Sequence, residues 1–255
     1  MNLKFSKYHG TGNDFILIDD RQETFPQQAD VISKLCHRHY GIGADGLILI
    51  QHHSELDYRM IYFNSDGSQS LCGNGSRCGF QFAHDLGMIN DKAAFETTDG
   101  NHEAYLKEGI IHFSLFDADT IKRLGEDWYL NTGSPHYIQF VDEVKGVDVK
   151  GKGAKIRYDD SFSGQNGTNV NFAQLLPDRV KIRTYERGVE DETLSCGTGA
   201  TAVGLVASQF DYKSPVHIET EGGDLWISFD KDEKGFSNVW LAGPVVKVFD
   251  GTVSI

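Results

Sequence analysis

The chain has 255 residues, of which 39% are hydrophobic and 24% charged, enough apolar material for one large core or two medium ones and too much for a disordered chain. Its 24 Lys and Arg stand against 37 Asp and Glu, a formal net charge of -13, with no basic cluster. That balance argues against nucleic acid and anionic lipid as partners, because both need cationic surface to offset phosphate charge.

The N-terminal run Met1-Asn2-Leu3-Lys4-Phe5-Ser6-Lys7 alternates apolar and polar residues and has no apolar signal-peptide core. Strands are expected at Leu3–Phe5, Phe15–Ile18, Leu47–Ile50, Tyr58–Phe63, His102–Leu106 and Ile110–Leu115, all β-branched or alternating. A helix is expected from Ala29 to Tyr40, with Asp30 as N-cap and Gly41 as the stop after its C-terminus. The loop Gly41-Ile42-Gly43-Ala44-Asp45-Gly46 matches G-x-G-x-x-G literally. A helix precedes it and a strand follows, the reverse of a dinucleotide site, so a tight loop is the better account. The second half gives strands at Tyr137–Val141, Val170–Leu175, Val180–Tyr185, Val216–Thr220, Leu225–Phe229 and Val239–Ala242. Each half carries one clear apolar helix, Gly73–Leu86 and Gly197–Phe210. The least polar stretch, Cys196 to Phe210, is too short and too interrupted to cross a membrane.

The two halves echo each other. Leu71-Cys72-Gly73-Asn74-Gly75-Ser76 returns as Ser195-Cys196-Gly197-Thr198-Gly199-Ala200, and Phe95-Glu96-Thr97-Thr98-Asp99-Gly100 as Ile218-Glu219-Thr220-Glu221-Gly222-Gly223. Thr11-Gly12-Asn13-Asp14-Phe15-Ile16 answers Thr132-Gly133-Ser134-Pro135-His136-Tyr137. Three echoes at nearly one offset predict an α+β chain of two pseudo-symmetric domains, each a barrel-like sheet around a central helix, with the site in the cleft between them. The expected halves are residues 1–116 and 117–244, separated where Asp117-Ala118-Asp119-Thr120 interrupts the apolar pattern. The last strand, within 245–255, is expected to return to the first half.

Cysteines 36, 72, 78 and 196 form no C-x-x-C pair, which disfavours a zinc ribbon or thioredoxin motif, and reduced thiols in a cytoplasm are expected. Cys36 and Cys78 lack a glycine context and read as packing residues; His37, His39, His52 and His53 read as surface. Cys72 and Cys196 each stand where a loop enters an apolar helix, followed by glycines that let a ligand approach the backbone. A helix N-terminus presents amide N–H groups and positive potential, which hold a carboxylate and lower a thiol pKa. Inverting a carbon centre by proton transfer needs a base on one face and an acid on the other, and a duplicated thiol supplies both.

The segments Tyr8–Phe15, Phe63–Ser68, Cys72–Cys78, Tyr185–Thr193 and Ser195–Ala200 jointly resemble the diaminopimelate epimerase family over residues 3 to about 246. The resemblance implies a cofactor-free isomerase of lysine biosynthesis that interconverts LL- and meso-diaminopimelate. Carried over, Cys196 is the base and Cys72 the acid for the LL substrate. Gly73, Asn74, Gly197 and Thr198 bind the carboxylate at the reacting carbon through backbone N–H groups. Asn13, Asn64, Asn171 and Arg187 hold the distal part, while Glu186 and His136 tune the thiols and bind the reacting amino group. Gly46 and Ser134 depart from the family pattern, which often has Gln and Asn there, and are left out of the site. The expected partner is this small molecule, with no nucleic acid, membrane, metal, pyridoxal phosphate or nucleotide; a homodimer is compatible. The rival readings are a proline or hydroxyproline racemase-like enzyme, which has little need of Arg187, and a thiol-redox or amino-acid-binding protein.

Overall fold

In a computed structural model that describes residues 2–118 and 120–255, β1 (Asn2–Gly10) and β2 (Asn13–Asp19) form an antiparallel hairpin. Its two-residue turn holds Thr11 (φ 49°) and Gly12 (φ 83°) in the left-handed region that matches the twist of the strands. From β2 the chain passes through α1 (Ala29–Cys36) into β3 (Gly46–Gln51), which pairs parallel with β2 at Phe15 and Gly46. A return strand, β4 (Tyr58–Asn64), leads through α2 (Gly73–Asp85) to β5 (Lys92–Thr97), parallel to β4 at Tyr58 and Phe95. Then β6 (Gly100–Lys107) and β7 (Ile110–Ser114) follow as an antiparallel meander.

The second half repeats that order. A hairpin of β8 (Lys122–Leu124) and β9 (Asp127–Asn131) leads to β10 (Pro135–Phe140), antiparallel to β9. Through α3 (Val149–Arg157) and a 3-10 turn at Asp160–Gln165 the chain reaches β11 (Asn169–Leu175), parallel to β10. After β12 (Val180–Glu186) and the short β13 (Asp191–Thr193) comes α4 (Gly197–Ala207), then β14 (Val216–Thr220), parallel to β12 at Val180 and Ile218. An antiparallel pair, β15 (Gly223–Asp232) and β16 (Gly235–Gly243), follows. The last strand, β17 (Val246–Ser254), pairs with β1 from Asn2 opposite Ser254 to His9 opposite Val246. Two compact units result, Met1–Phe113 with Gly243–Ile255, and Ser114–Ala242. Asp119, in the segment expected to separate the halves, lies outside the described residues, as does Met1.

Each unit is thus two parallel crossovers with a helix in each, and the details repeat. The Thr97 hydroxyl donates to Gly100 O, and the Thr220 hydroxyl to Gly223 O, closing equivalent turns. Arg59 pairs with Glu96 where Lys181 pairs with Glu219. Alternation along the strands assigns the two sheet faces of the first unit. Ile16, Ile18, Leu47, Leu49 and Phe63 pack with Ile32 and Leu35 of α1. Ile48, Ile50 and Met60, on the other face, lie under α2, as their approach to Gly75 and Gly79 shows. With a helix on each face, β3 is buried throughout, which is why it reads as a continuous apolar run. In the second unit α4 is apolar all round and buried among Ile182, Val216, Ile218, Leu225, Ile227 and Leu241, while α3 covers Val170, Phe172 and Tyr185.

Several sequence expectations need correction. The helix begun at Ala29 ends at Cys36, not Tyr40, because His37 turns extended (φ -66°, ψ 121°). Gly41 therefore is not its stop. It folds back on the helix end, donating to His37 O at 2.8 Å, where a Cβ would strike the Lys34 and Leu35 carbonyls. The N-cap is Gln28 rather than Asp30, which instead places its charge in the first turn, favourable to the helix dipole. The second half holds one helix more than expected: α3 is the counterpart of α1. The second apolar helix ends at Ala207 and continues as a 3-10 turn over Ser208–Phe210.

Close helix–sheet approach makes two glycines unequal. A Cβ at Gly204 would lie 2.7 Å from Ile227 Cγ1 and 2.9 Å from its Cβ, atoms of a stiff β-branched side chain. At Gly79 the obstacle is the Met60 sulfur at 2.6 Å, which can swing away. Gly204→Ala is expected to destabilise the protein by about 1–3 kcal/mol through overpacking. Gly79→Ala is expected to lower the urea midpoint distinctly less, a comparison that equilibrium unfolding of both variants makes directly.

Candidate active site

In the first unit, Cys72 is the N-cap of α2, in extended conformation (φ -136°, ψ 106°), and its sulfur accepts the Gly75 N–H at 3.3 Å. Gly73 and Asn74 occupy the first two helical positions, whose amides have no acceptor within a helix and face outward from its end. The Cys72 thiol donates to Asn13 Oδ1 at 3.5 Å, and Asn74 Nδ2 donates to the same oxygen at 3.3 Å. Asn13, at the exit of the β1–β2 turn, donates in turn to Asp45 Oδ2 at 2.7 Å. Asn64 ends β4 and donates to the Ser68 and Ser70 hydroxyls, tying that strand to the loop that enters α2. The structure therefore brings Asn13, Asn64, Gly73 and Asn74 to the Cys72 end of α2.

Composition and motifs gave no sign of the ionic frame beneath this arrangement. Asp14, at the start of β2, is bound by Lys7 at 2.6 Å and by Arg38 at 2.8 Å, and Arg38 also holds Asp45 at 2.6 Å. Burial works against the Asp14 carboxylate, but the Arg38 and Lys7 hydrogen bonds outweigh it and bring the pKa down to about 2. Gly46 faces the Tyr62 ring, where a Cβ would not fit. Cys36 and Cys78 are buried, and burial pushes the Cys36 thiol up to about 12.

In the second unit, Cys196 is the N-cap of α4 (φ -118°, ψ 112°), with Gly197 and Thr198 in the first two helical positions. His136 is fully buried, with Nε2 3.0 Å from the Thr198 hydroxyl, which lies 3.6 Å from the Cys196 sulfur. Asn171 Nδ2 reaches His136 Nδ1 at 3.2 Å and donates to Tyr137 O at 3.0 Å, while its Oδ1 accepts from the Thr184 hydroxyl. An amide donor at Nδ1 leaves the His136 proton on Nε2, aimed at Thr198, whose own proton is then available to the sulfur. Thr198 is fixed from the other side by the Thr132 hydroxyl, which donates to Thr198 O at 3.0 Å. Glu186 accepts from the Thr193 hydroxyl at 2.8 Å, and the Arg187 amide donates to Asn169 Oδ1 at 2.9 Å. Asn169 also donates to Ser134 Oγ at 2.7 Å, so the serine serves the loop rather than the thiol. Gly199 has no room for a Cβ, which would stand 2.5 Å from Asn171 Oδ1 and 3.3 Å from the Cys196 sulfur.

Burial, and then the nearby Arg187 charge, bring the His136 pKa down from 6.5 to about 3, so the ring is neutral at physiological pH. The sign of the linked stability follows. Between about pH 3 and 6.5 the unfolded chain carries a proton on His136 that the native chain does not. This group's stabilisation is therefore complete above 6.5 and declines as pH falls, by about 1.4 kcal/mol per unit. Replacing His136 with Asn is expected to flatten that part of the pH–stability curve. Urea unfolding of both proteins at pH 7, 6 and 5 checks it, with a gap independent of pH refuting the assignment.

Two units that repeat one topology, each with a cysteine capping a glycine-rich helix, define a duplicated α+β fold. A phenazine biosynthesis protein of the PhzF family from Bacillus anthracis superposes with a TM-score of 0.81 at 16% identity, each chain covered in full. A probable proline racemase from Agrobacterium radiobacter superposes at 0.70 and 13% identity, over 99% of this chain and 93% of that one. Sequence comparison is more specific: the family model for diaminopimelate epimerase matches residues 5–110 and 128–248. A diaminopimelate epimerase from Flavobacterium psychrophilum is 48% identical over 98% of this chain and all of its own length. One from Aquifex aeolicus is 41% identical over 99% and 98%. The chain belongs to the diaminopimelate epimerase family.

Proposed function

We infer that this protein interconverts LL- and meso-2,6-diaminopimelate by proton transfer between two cysteines, in L-lysine biosynthesis. The observation that carries the reading is the repeated placement of a cysteine at the N-cap of a helix whose first turn is glycine-rich, Cys72 on α2 and Cys196 on α4, within a chain of this family.

For the LL substrate, the Cys196 thiolate removes the α-proton and becomes a thiol. The electron pair left on carbon delocalises into the α-carboxylate, and the Cys72 thiol delivers its proton to the opposite face and becomes the thiolate. The reverse direction exchanges the roles, and solvent exchange at the sulfurs restores the starting state. An α-proton is far less acidic than a thiol, so the carbanion needs stabilisation that thiols do not supply. Amides of Gly73, Asn74, Gly197 and Thr198, at helix N-termini, are suited to receive the carboxylate as its charge grows. The neutral His136 serves Cys196 through the Thr198 hydroxyl, while Glu186 is suited to the reacting ammonium. Asn13, Asn64, Asn171 and Arg187 are read as distal contacts whose binding energy orients the reacting centre. This chemistry calls for no metal, pyridoxal phosphate or nucleotide, and the reading places the enzyme in the cytoplasm, with a homodimer compatible.

The test is incubation in deuterated water with diaminopimelate, proline and hydroxyproline in parallel. Deuterium at the α-carbon and epimerisation of diaminopimelate alone support the reading. Exchange confined to the cyclic amino acids shifts it to a racemase of similar fold, and no exchange with any of them overturns it.

A further inference from the structure

Arg77 lies one turn into α2 and is wholly buried, the bulkiest side chain to be so among the described residues. Its guanidinium donates to Gly73 O at 3.2 Å and to Asn74 Oδ1 at 2.9 Å, both neutral acceptors, and its Nε has no hydrogen-bond partner. Among the described residues no carboxylate pairs with it, and the groups whose charge acts on it are the Cys78 and Cys72 sulfurs. Burial lowers its pKa to about 10, which still leaves it protonated at neutral pH. Gly10, at the end of β1, passes over it so closely that a Cβ would sit 3.3 Å from Nη2.

Burying a cation without a counter-ion is strongly destabilising, and an apolar side chain would fill the same volume without that penalty. Hydrogen bonding does not explain it either. In the second unit the equivalent position is Thr201, whose hydroxyl donates to Gly197 O at 2.9 Å and satisfies the equivalent carbonyl with no charge at all. What the guanidinium adds is positive charge beneath the helix end, together with a fixed orientation for the Asn74 amide. With its oxygen on Arg77, Asn74 turns its Nδ2 toward Asn13, which accepts the Cys72 thiol on the same oxygen.

We propose that Arg77 is a positioning residue of the reaction, holding positive charge behind the Cys72 end of α2 so that the Cys72 thiolate and the substrate carboxylate are stabilised there. The inference rests on the reading of Cys72 as an acid–base group. The remaining titratable groups around α2 are paired or uncharged. Lys7 is paired with Asp14 on the adjacent strands, and Asp45 with Arg38. The Tyr8 phenol donates to Asp85, burial raises Tyr58 and Cys78 so that both stay protonated, and His9 accepts the Gly12 N–H. Arg59, on β4, is engaged by Glu96. Arg77 is thus the cation left to act on the thiol from within the helix.

The experiment is the pH dependence of iodoacetamide alkylation, resolved by peptide mass spectrometry so that Cys72 and Cys196 are followed in one sample. It is run on the wild type and on Arg77→Lys, Arg77→Gln and Arg77→Met. The wild-type Cys72 midpoint is expected below the free-thiol value of about 8.5. The Lys variant is expected to stay close to it, and the Gln and Met variants to move up by roughly one unit, a tenfold loss of thiolate at a given pH. Cys196 should keep its midpoint throughout, and epimerase activity should fall in the order of the Cys72 shift. An unshifted Cys72 in folded Gln or Met variants overturns the inference, as does a rise shared equally by Cys196. Should neither uncharged variant fold, the wild-type and Lys curves decide: a midpoint at or above 8.5 in either overturns it, and both below support it. Failure of the epimerase reading is distinguishable, since it appears as absent α-deuteration with the Cys72 shift intact.

Discussion

Replacing Cys196 with alanine is expected to remove epimerisation of LL-diaminopimelate, with a fall of at least about 10²–10⁴-fold for loss of one general acid–base group. Proton abstraction should survive selectively. Cys72 remains at the N-cap of α2 with its sulfur on Gly75 N–H and Asn13, so it can still remove the proton on its own side. With no acid opposite, the carbanion returns to the configuration it lost, and a deuteron acquired from solvent marks the event. Slow exchange with retained configuration, confined to one stereoisomer, is therefore the expected signature. Cys72→Ala should show the opposite stereochemical preference. Chiral chromatography with mass detection reads both, and substantial epimerisation by either single variant would refute the division of labour, since one thiol cannot reach both faces of a held carbon.

Arg187→Met is expected to lower kcat/KM for diaminopimelate by about 10²–10⁴-fold, the effect of removing one partner of a desolvated charge pair with a carboxylate. Part of the loss should fall on kcat, because distal binding energy also orients the reacting centre. Arg187→Lys should recover only a fraction, as an ammonium does not reproduce the two parallel hydrogen bonds of a guanidinium. A structural signature accompanies the kinetic one. The Arg187 charge contributes to holding the His136 pKa low, so the Met variant should raise it, visible in the imidazole resonances at acid pH. Unchanged steady-state constants in a folded Arg187→Met would remove this residue from the substrate's distal end.

Much of this arrangement was legible in the sequence, for identifiable reasons. The two cysteine-headed helices announce themselves because a glycine pair directly before a long apolar run has few other readings, and α2 and α4 begin where that pattern begins. β3 was plain as a continuous apolar run. α3 was not: its sequence VKGKGAKIR carries two glycines and three lysines, and only packing of Val149 and Ala154 against β11 and β12 makes it helical. β5, with its short KAAFET, gives little alternation and depends on partners on both sides. The resemblance assigned Asn13 and Asn64 to the distal part of the substrate; their place at the Cys72 end of α2, and the ionic frame of Asp14, Lys7, Arg38 and Asp45 beside it, came only from the structure, since those charges look like ordinary surface groups until folding gathers them. Arg77 was missed for the same reason: a charged residue in a helix is expected to face water, and nothing local to it says otherwise.

The pairing of β17 with β1 makes the first unit wait for a strand made more than two hundred residues later. Asn2 meets Ser254 and His9 meets Val246, so one side of β1 lacks its partner until residues 246–254 have been made. At typical elongation rates the interval is on the order of 10–50 s, long against the time a small domain needs to fold. The second unit, Ser114–Ala242, is contiguous and can be completed earlier, although it is made later than most of the first. During synthesis the emerging β1 therefore presents an open edge to other nascent chains. Lys4, exposed beside Phe5, places charge at that edge, a defence suited to a strand whose partner is made much later.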